Sequence, residues 1–139
     1  MATKKTWLDK LNEHKESKIK RIDIDFADIS AGSNMFIATP QLIDAYIQEI
    51  GIGKHIDLKT LRKDLAIEHN ADATCPVTTG IFLRIVAEAN YEMLQQGKRL
   101  SEITPFWRVI EPNNTLAKKL TFGQEFLQKQ IEKESAISA

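Results

Sequence analysis

The chain has 139 residues, 42% of them hydrophobic and 27% charged, with acidic and basic side chains in equal number and no formal net charge. That length supports one domain with a single core; no apolar run reaches the roughly eighteen residues of a membrane span, and neutrality argues against an indiscriminate nucleic-acid binder. The single cysteine, Cys75, excludes an internal disulfide and a multi-cysteine zinc site, and His14, His55 and His69 lack metal-ligand spacing, so no metal or other cofactor is expected.

The charge is unevenly spread. The first 21 residues carry Lys4, Lys5, Lys10, Lys15, Lys18, Lys20 and Arg21 against Asp9, Glu13 and Glu16. This is either a solvated helix face or an arm that meets phosphates. The same stretch lacks the apolar run of a secretory signal, which makes the cytoplasm the expected location. Trp7, Leu8 and Leu11 supply a short apolar stripe and predict an amphipathic helix over residues 5–20. Ile22, Ile24 and Phe26 then alternate before Ala-Gly-Ser-Asn, the pattern of a short strand or extended connector and a turn. Residues 1–34 thus read as a helical extension attached to a main domain over 35–139.

Thr39 is a natural N-cap, and Pro40 suits the first helical position because its missing N–H has no partner there. Leu42, Ile43, Tyr46, Ile47 and Ile50 recur at helical spacing until Gly51 and Gly53 break the helix. Asp57 caps a third helix, in which Leu58, Leu61 and Leu65 share a face and Lys59, Arg62 and Lys63 stay wet. Pro76 opens a fourth, apolar on several sides through Ile81, Phe82, Leu83, Ile85, Val86, Met93 and Leu94, hence central and packed by several neighbours. Gly97 stops it. A strand is predicted at 106–110, then a turn at "EPNNT", then a last helix within 115–134 that Gly123 bends or divides. Stated coarsely, this is a small, mostly helical domain. Stated finely, it is mostly α, a winged-helix (helix-turn-helix) domain with a short strand or wing and an N-terminal helical extension.

Four positions invite a chemical reading. Cys75 precedes a helix N-terminus, where the dipole favours thiolate, though a Cys-Pro pair at a helix start also serves structure alone. Arg84 interrupts the apolar "GIFLRIVAEA"; it either pairs with Glu88 four residues on or projects toward a phosphate. Phe106 and Trp107 either stack on a base or fill a core. Arg108, between Trp107 and Val109, is exposed if Val109 faces inward. No Ser/His/Asp set, carboxylate pair or phosphate-cradling glycine loop stands out.

From about residue 35 to 134 the chain resembles the DNA-binding domain of the methylguanine-DNA methyltransferases and their alkyltransferase-like relatives. "QLIDAYIQEIGIGKHIDLKTLRKDLA" is similar to that family's first helix, its Ile-Pro-x-Gly turn and its second helix, with Gly51 in place of the Pro. "LRIVAEA" is similar to the recognition-helix segment. "ITPFWRVI" falls where the family has Ile-Pro-Cys-His-Arg-Val-Ile, and "EPNNTLAKKLTFGQEFLQKQIEKE" follows the family's Asn/Gly turn and its final helix ending in Leu-x-x-Glu. The resemblance implies a winged helix whose central helix meets the minor groove, with Arg84 as the arginine that replaces a flipped base. Pro105 and Arg108 keep family residues.

The departures from the family matter as much. Phe106 stands at the alkyl-accepting Cys and Trp107 at its activating His. A phenyl ring cannot accept an alkyl group and an indole cannot act as the base, so this strand cannot repair DNA. Leu58 replaces the Tyr that helps turn the nucleotide, and Ile85 and Glu88 replace small residues of the recognition helix.

The expectation is therefore a non-catalytic, alkyltransferase-like protein that binds double-stranded DNA, with alkylated guanine as the lesion it would sense. Its expected contacts are Arg84, Arg108, Phe106, Trp107, Lys59 and Arg62. The alternatives are a protein-interaction module on the same fold, with a protein partner, and an atypical alkyltransferase using Cys75. No membrane partner is expected.

Overall fold

Thr39 and Asp57 each begin a helix as their side chains predict. Thr39 Oγ1 accepts the Leu42 N–H at 3.1 Å and Asp57 Oδ1 accepts the Thr60 N–H at 2.7 Å, each satisfying a donor left open at a helix start. The structure, a computed structural model, describes residues 5–138; Lys4 of the basic stretch lies outside the described residues. In chain order the elements are α1 (Trp7–Asn12), β1 (Lys18–Arg21), β2 (Asn34–Ile37), α2 (Pro40–Gln48), α3 (Leu58–Glu68), β3 (Ala73–Thr74), α4 (Pro76–Gln95), α5 (Thr115–Lys119) and α6 (Glu125–Ser138). Two 3-10 turns, Leu100–Glu102 and Phe106–Arg108, lie between α4 and α5. The domain is mostly helical with one small sheet. Pro40 and Pro76 open α2 and α4, and Gly123, at φ +80°, separates α5 from α6.

The sheet is not where the sequence pattern put it. Its order is β1-β2-β3, with β1 antiparallel to β2 and β2 parallel to β3. Residues 106–110, predicted as a strand, instead begin with a 3-10 turn, in which the Arg108 N–H donates to Pro105 O and the Val109 N–H to Phe106 O. A surface strand would bury alternate residues only. Here Phe106, Trp107, Val109 and Ile110 are all buried, which a tight turn permits and an alternating strand on one face does not.

The N-terminal region also departs from expectation. α1 ends at Asn12 instead of running toward residue 20, because residues 12–17 hold no apolar side chain to bury. The strand that follows is Lys18–Arg21, just before the alternation at Ile22–Phe26, and Ile24 is exposed. Residues 5–34 thus contribute a strand and core side chains as well as a helix. Leu11 joins Phe36, Ile43 and Leu83 in the main core, and Ile19 sits opposite Phe36 in the sheet. Glu92 of α4 accepts the N–H groups of Trp7 and Leu8 at 3.3 and 3.4 Å, fastening the start of α1.

α4 is the central helix, with Leu83, Val86, Ala87 and Ala89 buried along it. Its Asn90 carries the polar link to the next segment. Asn90 Nδ2 donates to Val86 O and to Asp44 Oδ1, and Asn90 Oδ1 accepts the Thr104 N–H at 2.9 Å. A second, smaller apolar cluster of Ile22, Ile29, Met35 and Cys75 fills the other face of the sheet.

Because Leu11 is part of the main core, Leu11→Ala should lower unfolding free energy by roughly 2–3 kcal/mol, through lost burial and an incompletely collapsed cavity. Urea unfolding checks this. A midpoint equal to wild type would mean that α1 is not integral to the domain.

Candidate functional site

Phe106 is 0% and Trp107 4% exposed. Phe106 packs at 5.7 Å, nearly parallel, on Phe126, and edge-on at 5.4 Å to Trp107. Phe122, Phe126 and Tyr91 extend the cluster, with Tyr91 stacked on Phe122 at 4.1 Å. Of the two roles open to these aromatics, the core is the one they fill. Neither ring presents a face on which a base could stack.

Arg108, expected on an exposed face, is inside a polar lock. Its side chain and that of Glu134 are 12% and 13% exposed. Arg108 Nη2 donates to Glu134 Oε2 at 2.8 Å and Nε to Oε1 at 3.0 Å, while Nη1 donates to Ile50 O. Trp107 Nε1 donates to the same carboxylate at 2.7 Å and the Gly53 N–H at 3.2 Å. The Ile56 N–H donates to Arg108 O at 2.9 Å. One carboxylate on α6 thereby joins the 3-10 turn to the α2–α3 connection. Burial alone would push the Glu134 carboxyl up. The hydrogen bonds from Arg108 and Trp107, with the Gly53 N–H and the Arg108 charge, outweigh it and hold the group below its ordinary value.

Arg62 is also committed. It was expected wet, yet its Nη1 and Nη2 donate to the two Asp28 oxygens at 2.8 and 2.7 Å and its Nε donates to Thr74 O at 3.0 Å. This bidentate pair ties α3 to the β1–β2 connection and holds the Asp28 carboxyl below its usual range. Lys59 is exposed on the same helix, beside Lys63.

Arg84 behaves differently. Its Nε lies 3.8 Å from Glu88 Oε2, beyond hydrogen-bond length, and that nitrogen has no hydrogen-bond partner among the described residues. Its guanidinium carbon lies 5.2 Å from the centroid of Trp7, whose ring also meets Lys10 Nζ at 4.3 Å. The predicted i,i+4 pair is therefore a loose one, because Glu88 is spoken for: it accepts the Thr121 N–H at 2.8 Å and the Thr121 hydroxyl at 2.6 Å. Glu88 and Ile85, which stand where the resembled family has small residues, are both buried, so neither of these two side chains stands on the outer face of α4.

Cys75 is buried in the second apolar cluster, its N–H donating to Phe36 O and its carbonyl accepting from the Thr79 hydroxyl. The structure brings Phe106, Trp107 and Arg108 together, leaves Lys59 and Arg62 on α3, and holds Arg84 on α4 under Trp7. They do not converge on one pocket. A groove of about 800 Å³ between α2 and α3 is lined by Tyr46, Glu49, Lys54, His55 and Glu68 and contains none of them. A smaller groove of about 530 Å³ beside the 3-10 turn is bordered by Ile52, Leu100, Pro105, Trp107 and Arg108. No group of metal-ligating side chains occurs among the described residues, nor any helix long and apolar enough to cross a membrane.

Sequence reasoning missed Glu134 and Glu92, and it read Trp7 only as part of an apolar stripe, not as the ring over Arg84. Glu134 was findable: Leu127, Ile131 and Glu134 recur on one stripe of α6, and a carboxylate on an apolar stripe needs an internal partner. Comparison with protein-family models, with curated proteins and with solved structures returns no match to this chain.

A carboxyl whose folded value is depressed contributes stability that is fully present above its unfolded value, near 4.5, and is lost as pH falls through the folded value. Glu134→Gln should therefore cost about 3 kcal/mol at neutral pH, and the gap to wild type should narrow below the unfolded value. Urea melts across pH read both. A gap that does not change with pH would show that Glu134 carries no such charge-dependent lock.

Proposed function

We propose that this protein binds double-stranded DNA without acting on it chemically, presenting α4 in the manner of an alkyltransferase-like winged helix. The observation that carries the reading is the state of Arg84. Arg108 and Arg62, two of the other expected cationic contacts, are each held in short, multiply hydrogen-bonded ion pairs. Arg84 has a pair too long to be a hydrogen bond, and its side chain is 34% exposed. A cation held by a ring face and a distant carboxylate loses little when a phosphate takes it over. Lys59 and Lys63, exposed on α3, add positive charge on the preceding helix. The order α2, turn, α3, β3, α4 supports a helix-turn-helix arrangement with α4 as the presented helix.

The duplex, rather than a lesion within it, is the ligand this reading favours. Recognition of an extrahelical base by aromatic stacking needs an open ring face, and Phe106 and Trp107 are committed to the core. At their positions the chain has neither the thiol nor the base that alkyl transfer requires.

A protein-interaction module is the second reading, and one observation favours it. Val77 and Ile81, one turn apart on α4, are each 53% exposed, an apolar pair on the helix that would face DNA. Stable self-association together with the absence of salt-dependent DNA binding would favour that reading.

Arg84→Ala should reduce affinity for a labelled duplex about five- to tenfold and lower the salt slope by about one, as expected for one lost phosphate contact. Circular dichroism should show an unchanged fold. Equal affinity and slope in variant and wild type would remove Arg84 from the interface and with it this reading.

A further inference from the structure

Among the described residues β1 is an outer strand of the sheet, paired with β2 alone, and all four of its residues are exposed. The ladder phase follows from the bulge at its end. The Ile22 N–H donates to Ser33 O at 3.0 Å, and the Gly32 N–H donates to Ile22 O at 2.7 Å, with Gly32 at φ +88°. This is a glycine bulge, in which two residues of one strand oppose one of the other and the first adopts the left-handed conformation. Stepping back by two along the register, Lys20 with Met35 and Lys18 with Ile37 are the hydrogen-bonded pairs. The N–H and C=O groups of Ile19 and Arg21 therefore point away from β2, along an open edge.

The edge carries three positive side chains in four residues, Lys18, Lys20 and Arg21. By the register, Lys18 and Lys20 lie on the face of Ile37 and Met35, whereas Ile19 and Arg21 lie on the face of Phe36. Ile19 is half exposed, an apolar position between two lysines. The acidic Asp23 and Asp25 follow closely and end the basic stretch at Arg21. A second copy of this chain is a poor occupant, because antiparallel pairing of two such edges sets lysine and arginine against like charge.

We propose that the β1 edge is a docking site for an acidic, extended peptide of another protein, added to the sheet as a further strand. Its backbone pairs with Ile19 and Arg21, its alternate carboxylates face Lys18 and Lys20, and an apolar residue between them meets Ile19. The site is independent of the DNA-binding reading, since Arg84 lies on α4 and has no part in it.

The probe is a short fluorescent peptide of alternating glutamate and valine, titrated against the full chain at low salt. Wild type should bind it. Ile19→Pro removes an outward N–H without touching the β2 ladder and should weaken binding about three- to tenfold, the worth of a hydrogen bond. Should that variant fail to fold, the same peptide N-methylated at alternate amides loses its own N–H donors to the Ile19 and Arg21 carbonyls, the reciprocal bonds of the same strand pairing, and should lose affinity similarly. Lys18→Glu with Lys20→Glu should abolish binding of the glutamate peptide and create binding of its lysine counterpart, while Arg84→Ala leaves peptide affinity unchanged. No binding to wild type, or equal binding of the N-methylated peptide, would overturn the proposal; the second result would mean that charge alone acts at this edge.

Discussion

The carboxylate of Glu134 is the interaction on which the rest of this structure depends. It accepts hydrogen bonds from Arg108, Trp107 and the Gly53 N–H, and so draws the 3-10 turn, the connection between α2 and α3, and α6 to one point. Arg108 completes the joint through the Ile50 carbonyl. Without that carboxylate a guanidinium and an indole N–H would be left nearly buried and unpaired, a cost that hydrophobic packing does not recover. With it, Phe106 can turn fully inward against Phe126.

That lock decides what the segment "ITPFWRVI" can do. In the resembled family the same stretch carries a nucleophile and its base. Here an aromatic pair and an internally paired arginine occupy it, and their side chains are spent on cohesion. The binding proposed above must then rest on groups that the fold holds less tightly. On α4 this is Arg84, which shares the ring of Trp7 with Lys10 because Glu88 is engaged by Thr121. On the sheet it is the basic edge of β1. These features belong to separate elements, so binding to one does not require the other.

Much of the helical framework was legible in the sequence because its signals are local. Thr39, Asp57, Pro40 and Pro76 act within a turn of where they stand, and Gly123 divides the last helical region as expected. The misreadings involve partners far along the chain. Arg62 finds Asp28 34 residues away and Arg108 finds Glu134 26 residues away, separations over which no pattern rule operates. Residues 106–110 were expected to form a short strand, but a strand needs a neighbour to pair with, and the sheet is built from β1, β2 and β3 instead. β1 itself has one apolar residue in four and so gives almost no periodic signal. As for the candidate site, the sequence singled out Arg62, Arg84 and Arg108 alike and did not show which of them the fold would engage in short ion pairs.

The most direct test of this account is the affinity of the full chain for two otherwise identical duplexes, one containing O6-methylguanine, measured by fluorescence anisotropy across a salt series. The account predicts that both bind with the same affinity and weaken together as salt rises, since the contact is to the backbone and Phe106 and Trp107 stay in the core. A preference of about tenfold or more for the methylated duplex would contradict it, because about 1.4 kcal/mol of discrimination requires a pocket that receives the lesion.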